Sequence, residues 1–342
     1  MRAIVINDPG PASRLRWVEV PDPILGSGEV LVEVHATALN RADLMQRAGR
    51  YPPPPGASEV LGLEMAGRIA ALGEGVVGWS VGERVCSLMP GGGYAELAAV
   101  PASMLMRVPE RLSMAEAAGL PEVFLTAFSA LFREGRSQPG EVVLIHAGAS
   151  GVGTAAIQMA SRAGCRVLTT VGGPAKAAAC RELGAELAIN RFLEDFEESV
   201  RAHLGAEPAP RNVGPGGVGP PGGVDVIVDM VGKDYFERNL RLLNVLGRRV
   251  FVSAQSGADV PLKITALSSK RLSLIGATLR ARSVAEKGEL SRAFLERFGD
   301  DLAEGGVRPI IDSTFPIQQA EEAHTFMAAN RNIGKIVLVV KE

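Results

Sequence analysis

The chain has 342 residues, of which 46% are hydrophobic and 22% charged, and its formal net charge is −2. This length favours two domains, and the small net charge gives no reason to expect nucleic acid or an anionic membrane surface as a partner. The apolar runs are far shorter than a membrane span and the three cysteines form no C-x-x-C pair, so we expect a cytoplasmic protein without a structural zinc.

The first 120 residues contain short β-type runs separated by glycine and proline. EVLVEVHA, which begins at Glu29, alternates charged and apolar residues as a half-buried strand does. Within this region, residues 40–58 predict a short helix followed by a stiff, extended loop, because four consecutive prolines fix φ. Tyr51, which directly precedes these prolines, would therefore lie at the edge of a rigid loop. The region as a whole predicts a β-rich, barrel-like domain.

A linking helix and a glycine-rich segment come next. Residues 121–132 predict an amphipathic helix, and residues 141–160 read EVVLIHAGASGVGTAAIQMA. Within the latter, residues 142–145 predict a buried strand, residues 147–153 a turn of small residues, and Thr154 onward a helix. A strand, a small-residue turn and a helix in this order are typical of a phosphate site.

The glycines of this turn have a specific use. Gly148, Gly151 and Gly153 let the backbone turn tightly and approach a ligand, while the helix offers unpaired N–H groups to a pyrophosphate. Ser150 stands where the second glycine of the G-x-G-x-x-G fingerprint would be, so the motif alone is a weak indication. An α/β domain with an incidental glycine turn is the alternative.

The segments that follow favour nucleotide binding. Apolar, β-branched runs alternate with helix-like segments, which predicts a doubly wound parallel sheet with right-handed crossovers. The predicted strands are residues 165–173, 187–190, 224–232, 248–254 and 272–278, and the predicted helices are residues 176–185 and 193–204.

The remaining segments complete the chain. Residues 205–223 are rich in glycine and proline and predict a solvent loop, to which we assign no function. A helix near residues 284–302, a strand near 309–315, a helix near 317–329 and the terminal strand GKIVLVV follow. We expect this tail to return to the first domain and complete it.

The end of the second predicted nucleotide-domain strand indicates which cofactor binds. An NAD enzyme places an acidic residue there to bind the ribose 2′-OH, whereas residues 169–173 read TTVGG and Lys176 follows. A 2′-phosphate would be attracted by Lys176, with Arg191 as a second candidate cation. An ordinary solvated lysine at a helix start is the alternative. We predict NADPH as the cofactor.

Six motifs occur in fixed order: ALNRADLMQRAGRYPPPPGAS, LGLEMAGRIAALG, PGGGYAELAAVP, LPEVFLTAFSAL, LIHAGASGVGTAAIQMA and NRNIGKIVL. Together they resemble the zeta-crystallin-type quinone oxidoreductases, a zinc-free branch of the medium-chain dehydrogenase/reductase superfamily, and most closely its tumour-suppressor-inducible members. The resemblance implies a Rossmann doubly wound sheet (residues 123–282) inserted into a GroES-like β-barrel domain (residues 1–122 and 283–342). It further implies NADPH in the cleft between these domains, and a homodimer formed in many members by the last nucleotide-domain strand, here near residues 272–278.

The same resemblance implies a set of site residues. Without zinc, an oxygen that gains charge during hydride transfer needs hydrogen-bond donors, and the phenol of Tyr51 suits this role; a packing role is the alternative. Asn40 would either hold the substrate oxygen or cap the helix that follows it. Cofactor contacts are implied at Tyr51, Thr126, Ser150, Gly151, Val152, Gly153, Gly172, Lys176, Asn190, Arg191, Ser253 and Leu279.

Zinc-dependent alcohol dehydrogenases share this resemblance at the level of the fold. Their catalytic zinc takes a Cys, the His of a G-H-E motif and a second Cys, and the matching positions here are Asn40, Leu63 and a position near Glu122. An amide, a leucine and a single carboxylate do not make that site. We therefore expect no metal.

The predicted function is hydride transfer from NADPH to a quinone or another conjugated carbonyl. A 2-enoyl thioester reductase, in which Tyr51 supplies a proton to the carbon next to the carbonyl, is the alternative enzyme. An NADPH-binding redox sensor with little turnover is an alternative of another class. The sequence does not specify the physiological acceptor.

Overall fold

The computed structural model describes residues 1–7, 10, 14–205 and 222–341. The chain forms two compact units, one of Met1–Leu125 with Leu279–Glu342 and one of Thr126–Thr278. The sequence placed these boundaries after residues 122 and 282. Most of the predicted glycine- and proline-rich loop, residues 206–221, lies outside the described residues.

The N-terminal part of the first unit is rich in strands. In β3, Val30, Val32, Val34 and Ala36 are buried, as the alternating pattern predicts. The elements up to the second unit are β1 (Arg2–Asn7), β2 (Arg14–Glu19), β3 (Glu29–Ala38), α1 (Arg41–Arg47), β4 (Glu64–Leu72), β5 (Arg84–Leu88), β6 (Leu97–Pro101), β7 (Leu105–Arg107), α2 (Met114–Ala118) and α3 (Pro121–Phe128).

The second unit alternates strands and helices. Its elements are β8 (Val142–Ile145), α4 (Gly151–Arg162), β9 (Arg166–Val171), α5 (Pro174–Glu182), β10 (Leu187–Asn190), α6 (Phe196–Leu204), β11 (Val224–Asp229), α7 (Phe236–Leu242), β12 (Leu243–Phe251), α8 (Ile264–Lys270) and β13 (Ser273–Gly276). The strands pair in parallel in the order β10-β9-β8-β11-β12-β13, which is the arrangement of a dinucleotide-binding sheet. Strand β8 is buried throughout, which explains its uninterrupted apolar sequence.

The chain then returns to the first unit. It adds α9 (Val284–Glu304), β14 (Ile311–Pro316), α10 (Ala320–Ala328) and β15 (Lys335–Val339). Strand β15 pairs antiparallel with β3, so that Val337 lies opposite Ala38. A parallel sheet inserted between two parts of a β-rich unit confirms the predicted fold class. No helix in the described ranges is both long and apolar enough to span a bilayer.

Helix ends are where the prediction and the structure differ. Helix α4 begins at Gly151 rather than Thr154, because the Oγ of Ser150 accepts a hydrogen bond from the N–H of Gly153 at 3.0 Å and caps it. Helix α6 begins after Asp195 for the same reason, since the Asp195 carboxylate accepts two first-turn N–H groups. Helix α3 ends at Phe128, where a π-helical segment, Ser129–Glu134, replaces its predicted continuation.

Candidate functional site

The turn between β8 and α4 depends on two glycines. A Cβ atom on Gly148 would lie 2.0 Å from the Oγ1 of Thr169, and one on Gly153 would lie 2.5 Å from the carbonyl oxygen of Ala147. Either contact is a severe overlap, so only glycine allows the turn to pack against β9 and the helix to begin so close to the turn. These glycines therefore fix where the start of α4 lies.

The start of α4 is suited to an anion. The N–H groups of Gly151 and Val152 belong to the first helical turn, where no intrahelical acceptor exists, and the helix dipole is positive there. The turn lies at the carboxyl end of β8, beside β11, where the strand order reverses. Ser150, Gly151, Val152 and Gly153 are thus brought together where a pyrophosphate would be bound.

The carboxyl ends of β9 and β10 carry the second part of this site. Gly172 follows β9, and a Cβ atom there would lie 3.5 Å from the ring of Phe192 and 3.9 Å from the Nε of Arg191. The guanidinium of Arg191 lies 4.1 Å from the centre of the Phe192 ring, and Phe192 is 66% exposed. The structure therefore places Arg191 close to Gly172. It also places Phe192 at this part of the candidate site, a residue that the sequence analysis missed.

The other predicted residues of this region have defined positions. Asn190 ends β10, and its Oδ1 accepts a hydrogen bond from the N–H of Phe192 at 3.2 Å, so this side chain shapes the turn. Lys176 lies in the first turn of α5 and is partly exposed. Ser253 follows β12 and donates to the carbonyl oxygen of Met230 at 2.8 Å. Thr126 lies on α3 in the second unit.

A buried polar cluster lies at the junction of β3, β4 and β15 in the first unit. The ammonium of Lys335 lies 2.7 Å from the Oε1 of Glu64 and donates to the Oδ1 of Asn40 at 2.7 Å and to the carbonyl oxygen of Leu39 at 2.6 Å. The side-chain amide of Asn40 donates to Glu64 at 2.8 Å and to the carbonyl oxygen of Ala38 at 3.3 Å. The Asn40 amide group therefore makes its contacts within the protein.

These contacts bear on whether a catalytic zinc would fit. Glu64 and Lys335 are almost wholly buried, Leu63 is 2% exposed, and the backbone N–H of Glu122 donates to Glu64 at 2.8 Å. The cation that neutralises Glu64 is thus a lysine of the chain. Over the described ranges, no three His, Cys, Asp or Glu side chains are grouped as metal ligands. The residues do not fit a catalytic zinc.

Glu122 has an unusual charge state in this cluster. Burial, followed by the nearby carboxylate of Glu64, raises the pKa of Glu122 to about 8, although Lys335 and Lys287 act in the opposite direction. The Glu122 carboxyl group is therefore mostly protonated at neutral pH. Burial in turn lowers the pKa of Lys287, which Glu122 opposes.

A second buried network supports α1. The hydroxyl of Tyr94 donates to the Oδ2 of Asp43 at 3.2 Å and lies 3.3 Å from the Nε2 of His324. The same Asp43 oxygen accepts the backbone N–H of Asn40 at 2.7 Å. Burial raises the pKa of Asp43 to about 6 and lowers that of His324 to about 3, so this histidine stays neutral. Asp43 is the acidic residue of the first helical turn.

Tyr51 lies on the proline-rich loop of the first unit and is partly buried. Burial raises the pKa of its phenol above the usual value, and the charge of Arg280 opposes this rise. Leu279, the first residue of the returning segment, is 6% exposed. Arg280 follows it and was not predicted, because no motif of the sequence includes it.

Comparison with known proteins agrees with this architecture. The family model described as "Alcohol dehydrogenase GroES-like domain" matches residues 26–110, and the one described as "Zinc-binding dehydrogenase" matches residues 151–294. A 2-haloacrylate reductase from a Burkholderia species is 32% identical over 344 residues, covering 98% of this chain and 98% of the relative. The chain belongs to the medium-chain dehydrogenase/reductase superfamily.

Two solved structures extend the comparison. The quinone oxidoreductase of Thermus thermophilus, solved also with NADPH, has a TM-score of 0.80 and 32% identity, covering 99% of this chain and 100% of that chain. The CurK enoyl reductase has a TM-score of 0.83 and 27% identity, covering 99% of this chain and 98% of that chain. The match to a quinone oxidoreductase confirms the predicted resemblance to quinone oxidoreductase-type members. This member of the superfamily is thus an oxidoreductase with both quinone and enoyl reductases among its relatives.

Proposed function

We propose that this chain is an NADPH-dependent, zinc-independent reductase of quinones or similar conjugated carbonyl compounds. The carrying observation is the Lys335–Glu64–Asn40 cluster, in which Asn40, at a position that matches a zinc ligand, is an amide bonded to Glu64 and Lys335 within the protein. Without a Lewis acid, the charge that develops on the substrate oxygen has to be stabilised by hydrogen-bond donors. Quinones suit this chemistry because reduction makes them aromatic.

NADPH is the cofactor, and when bound it supplies the hydride from its nicotinamide ring. The N–H groups of Gly151 and Val152 hold the pyrophosphate, while Arg191 and Lys176 attract the 2′-phosphate. Thr126, Ser253 and Leu279 would hold the nicotinamide end of the bound cofactor. Gly172 leaves room for the adenosine.

Tyr51 donates a hydrogen bond, and then a proton, to the substrate oxygen, because its phenol is held on a stiff loop and its pKa keeps it protonated. It also contributes to placing the nicotinamide ribose. Asn40 supports the site through Glu64 and Lys335 instead of contacting the substrate, since its amide donates within the protein.

The preference for NADPH is tested with Lys176. Lys176→Ala is expected to weaken NADPH binding by about 1.5 to 3 kcal/mol and NADH binding very little, because only NADPH carries the 2′-phosphate. Calorimetry with both cofactors measures this. Lys233→Ala, which removes an exposed lysine of the same unit, is the control. Equal losses for the two cofactors would exclude the role.

The reaction is tested by following NADPH oxidation with phenanthrenequinone, a para-quinone and a trans-2-enoyl thioester. We expect the quinones to be reduced and Tyr51→Phe to lose about 10²-fold or more in kcat, as for removal of a general acid. Measuring NADPH affinity for the same variant separates proton donation from cofactor placement. Quinone turnover that is insensitive to Tyr51→Phe would contradict the donor role.

A second function has support from two relatives. The 2-haloacrylate reductase and the CurK enoyl reductase are both named for alkenes conjugated to a carbonyl or carboxylate group. If the enoyl thioester is the better substrate and its reduction collapses in Tyr51→Phe, the chain is an enoyl reductase in which Tyr51 protonates the carbon next to the carbonyl. Tight NADPH binding with no turnover of any acceptor would instead indicate a redox sensor.

The assembly we propose is a homodimer. Strand β13 is the last strand of the parallel sheet and pairs on one side with β12. Its other side would pair with a second copy, which would extend the sheet from one protomer to the next.

A further inference from the structure

Arg280 joins three segments of the first unit through one planar side chain. It is 8% exposed, and its Nε donates to the carbonyl oxygen of Pro90 at 3.1 Å. Its Nη1 donates to the carbonyl oxygen of Tyr51 at 3.1 Å, and its Nη2 donates to the Oε1 of Gln46 at 2.6 Å. A guanidinium presents its donors in a rigid fork, so these three contacts fix each other's geometry.

Gln46 extends this connection to the far end of the loop. Its Nε2 donates to the carbonyl oxygen of Glu59 at 3.1 Å, while its Oε1 receives the hydrogen bond from Arg280. The loop that carries Tyr51 is therefore held at Tyr51 by Arg280 and at Glu59 by Gln46. Residues 52–55 between these points are prolines, which restrict φ. Side-chain hydrogen bonds therefore hold both ends of this loop, residues 51–59.

The guanidinium of Arg280 also faces the aromatic ring of Tyr51. Its central carbon lies 4.7 Å from the centre of the Tyr51 ring, within the range of a cation–π contact. The backbone of Arg280 is itself anchored, because its carbonyl oxygen accepts a hydrogen bond from the Nζ of the buried Lys287 at 3.0 Å. Arg280 thus contacts Tyr51 at both backbone and ring, from a fixed position.

We propose that Arg280 is a positioning residue of the reaction, which holds the Tyr51 phenol in place and makes it a better proton donor. This inference rests on the proposed function, in which Tyr51 is the donor to the substrate. The Nε, Nη1 and Nη2 atoms of Arg280 donate to Pro90, Tyr51 and Gln46 within the protein. Arg280 therefore affects the reaction through the Tyr51 phenol and does not contact the substrate itself. Its positive charge also favours the phenolate, which lowers the pKa of Tyr51 against the effect of burial.

A double-mutant cycle in the 342-residue protein tests the positioning role. Arg280→Gln is expected to lower kcat for phenanthrenequinone by about 10- to 100-fold with a smaller change in KM, because misplacing a catalytic group weakens the transition state. In the Tyr51→Phe background the same substitution is expected to change kcat by less than about twofold. Equal losses in the two backgrounds would overturn the proposal.

A second variant keeps the test valid if Arg280→Gln does not fold. Gln46→Met removes the hydrogen bond to Glu59 and one of the three acceptors of Arg280, but it keeps the charge of Arg280 and its hydrogen bonds to Tyr51 and Pro90. It is expected to give a smaller loss of kcat that again disappears in the Tyr51→Phe background. A loss that persists there would overturn the proposal as well.

The phenol itself gives a readout that does not depend on turnover. The chain has three tyrosines, so ¹³C-labelled tyrosine gives few signals, and Tyr51→Phe identifies the one from Tyr51. We expect the pKa of Tyr51 to be higher in Arg280→Gln than in the wild type. In Arg50→Gln, which removes the exposed cation next to Tyr51, we expect it to be unchanged.

The two proposals fail in different ways. An unchanged Tyr51 pKa in Arg280→Gln, together with an inactive Tyr51→Phe, would overturn the role of Arg280 alone. A fully active Tyr51→Phe would overturn the proposed function of Tyr51 and, with it, any positioning role for Arg280.

Discussion

Replacing Lys335 with methionine is expected to lower the free energy of unfolding by about 3 to 5 kcal/mol, because it leaves a buried carboxylate without its cation. The Lys335 and Glu64 side chains are 3% and 0% exposed, and their charged atoms are 2.7 Å apart. Lys335 also bonds Leu39 and Asn40 at the end of β3, so its loss leaves two further acceptors unpaired. Urea unfolding of the wild type and the variant measures the change.

The chain offers a matched control for this prediction. Lys341 and Glu33 are 2.6 Å apart but 54% and 41% exposed, so Lys341→Met should cost no more than about 1 kcal/mol. Adding Glu64→Gln to Lys335→Met should recover most of the loss, since a neutral amide is much less costly to bury than an unpaired charge. A loss in Lys335→Met as small as that of Lys341→Met would show that Glu64 does not depend on its buried partner.

The sequence predicted those features that local patterns determine. Alternation identified β3, apolar β-branched runs identified strands such as β8 and β11, and the glycine turn placed α4 after β8 to within three residues. These features depend on neighbours in the chain, because side-chain periodicity and backbone sterics act over a few residues. The cap at Ser150 is also local, but it was missed because this position was read as a departure from a glycine pattern.

The parts of the site that the sequence analysis did not predict depend on contacts between residues far apart in the chain. Arg280 and Gln46 are 234 positions apart, and Lys335 and Asn40 are 295 positions apart. No periodicity or spacing specifies such pairs, which exist only because β15 returns to pair with β3 and the chain re-enters the first unit after residue 278.

The same buried cluster determines how stability depends on pH. Burial and the charge of Glu64 raise the pKa of Glu122 from its ordinary 4.5 to about 8 in the folded protein. Between these values the folded state holds a proton that the unfolded state has lost, so the free energy of unfolding falls as the pH rises. The stabilising effect is fully present below pH 4.5 and is lost once the pH passes about 8. A shift of this size corresponds to about 5 kcal/mol.

Glu122→Gln should therefore make the protein more stable than the wild type above about pH 8, by up to about 5 kcal/mol, since an amide never acquires the negative charge. Below pH 4.5 the two proteins should be nearly equal, because the carboxyl group is then neutral in both the folded and the unfolded state. Urea unfolding from about pH 5 to about pH 9 measures the difference across this window, with Glu289→Gln, an exposed glutamate on α9, as the control for losing a carboxylate. If the difference between Glu122→Gln and the wild type stays constant over this range, Glu122 is ionised throughout and its pKa is not raised by folding.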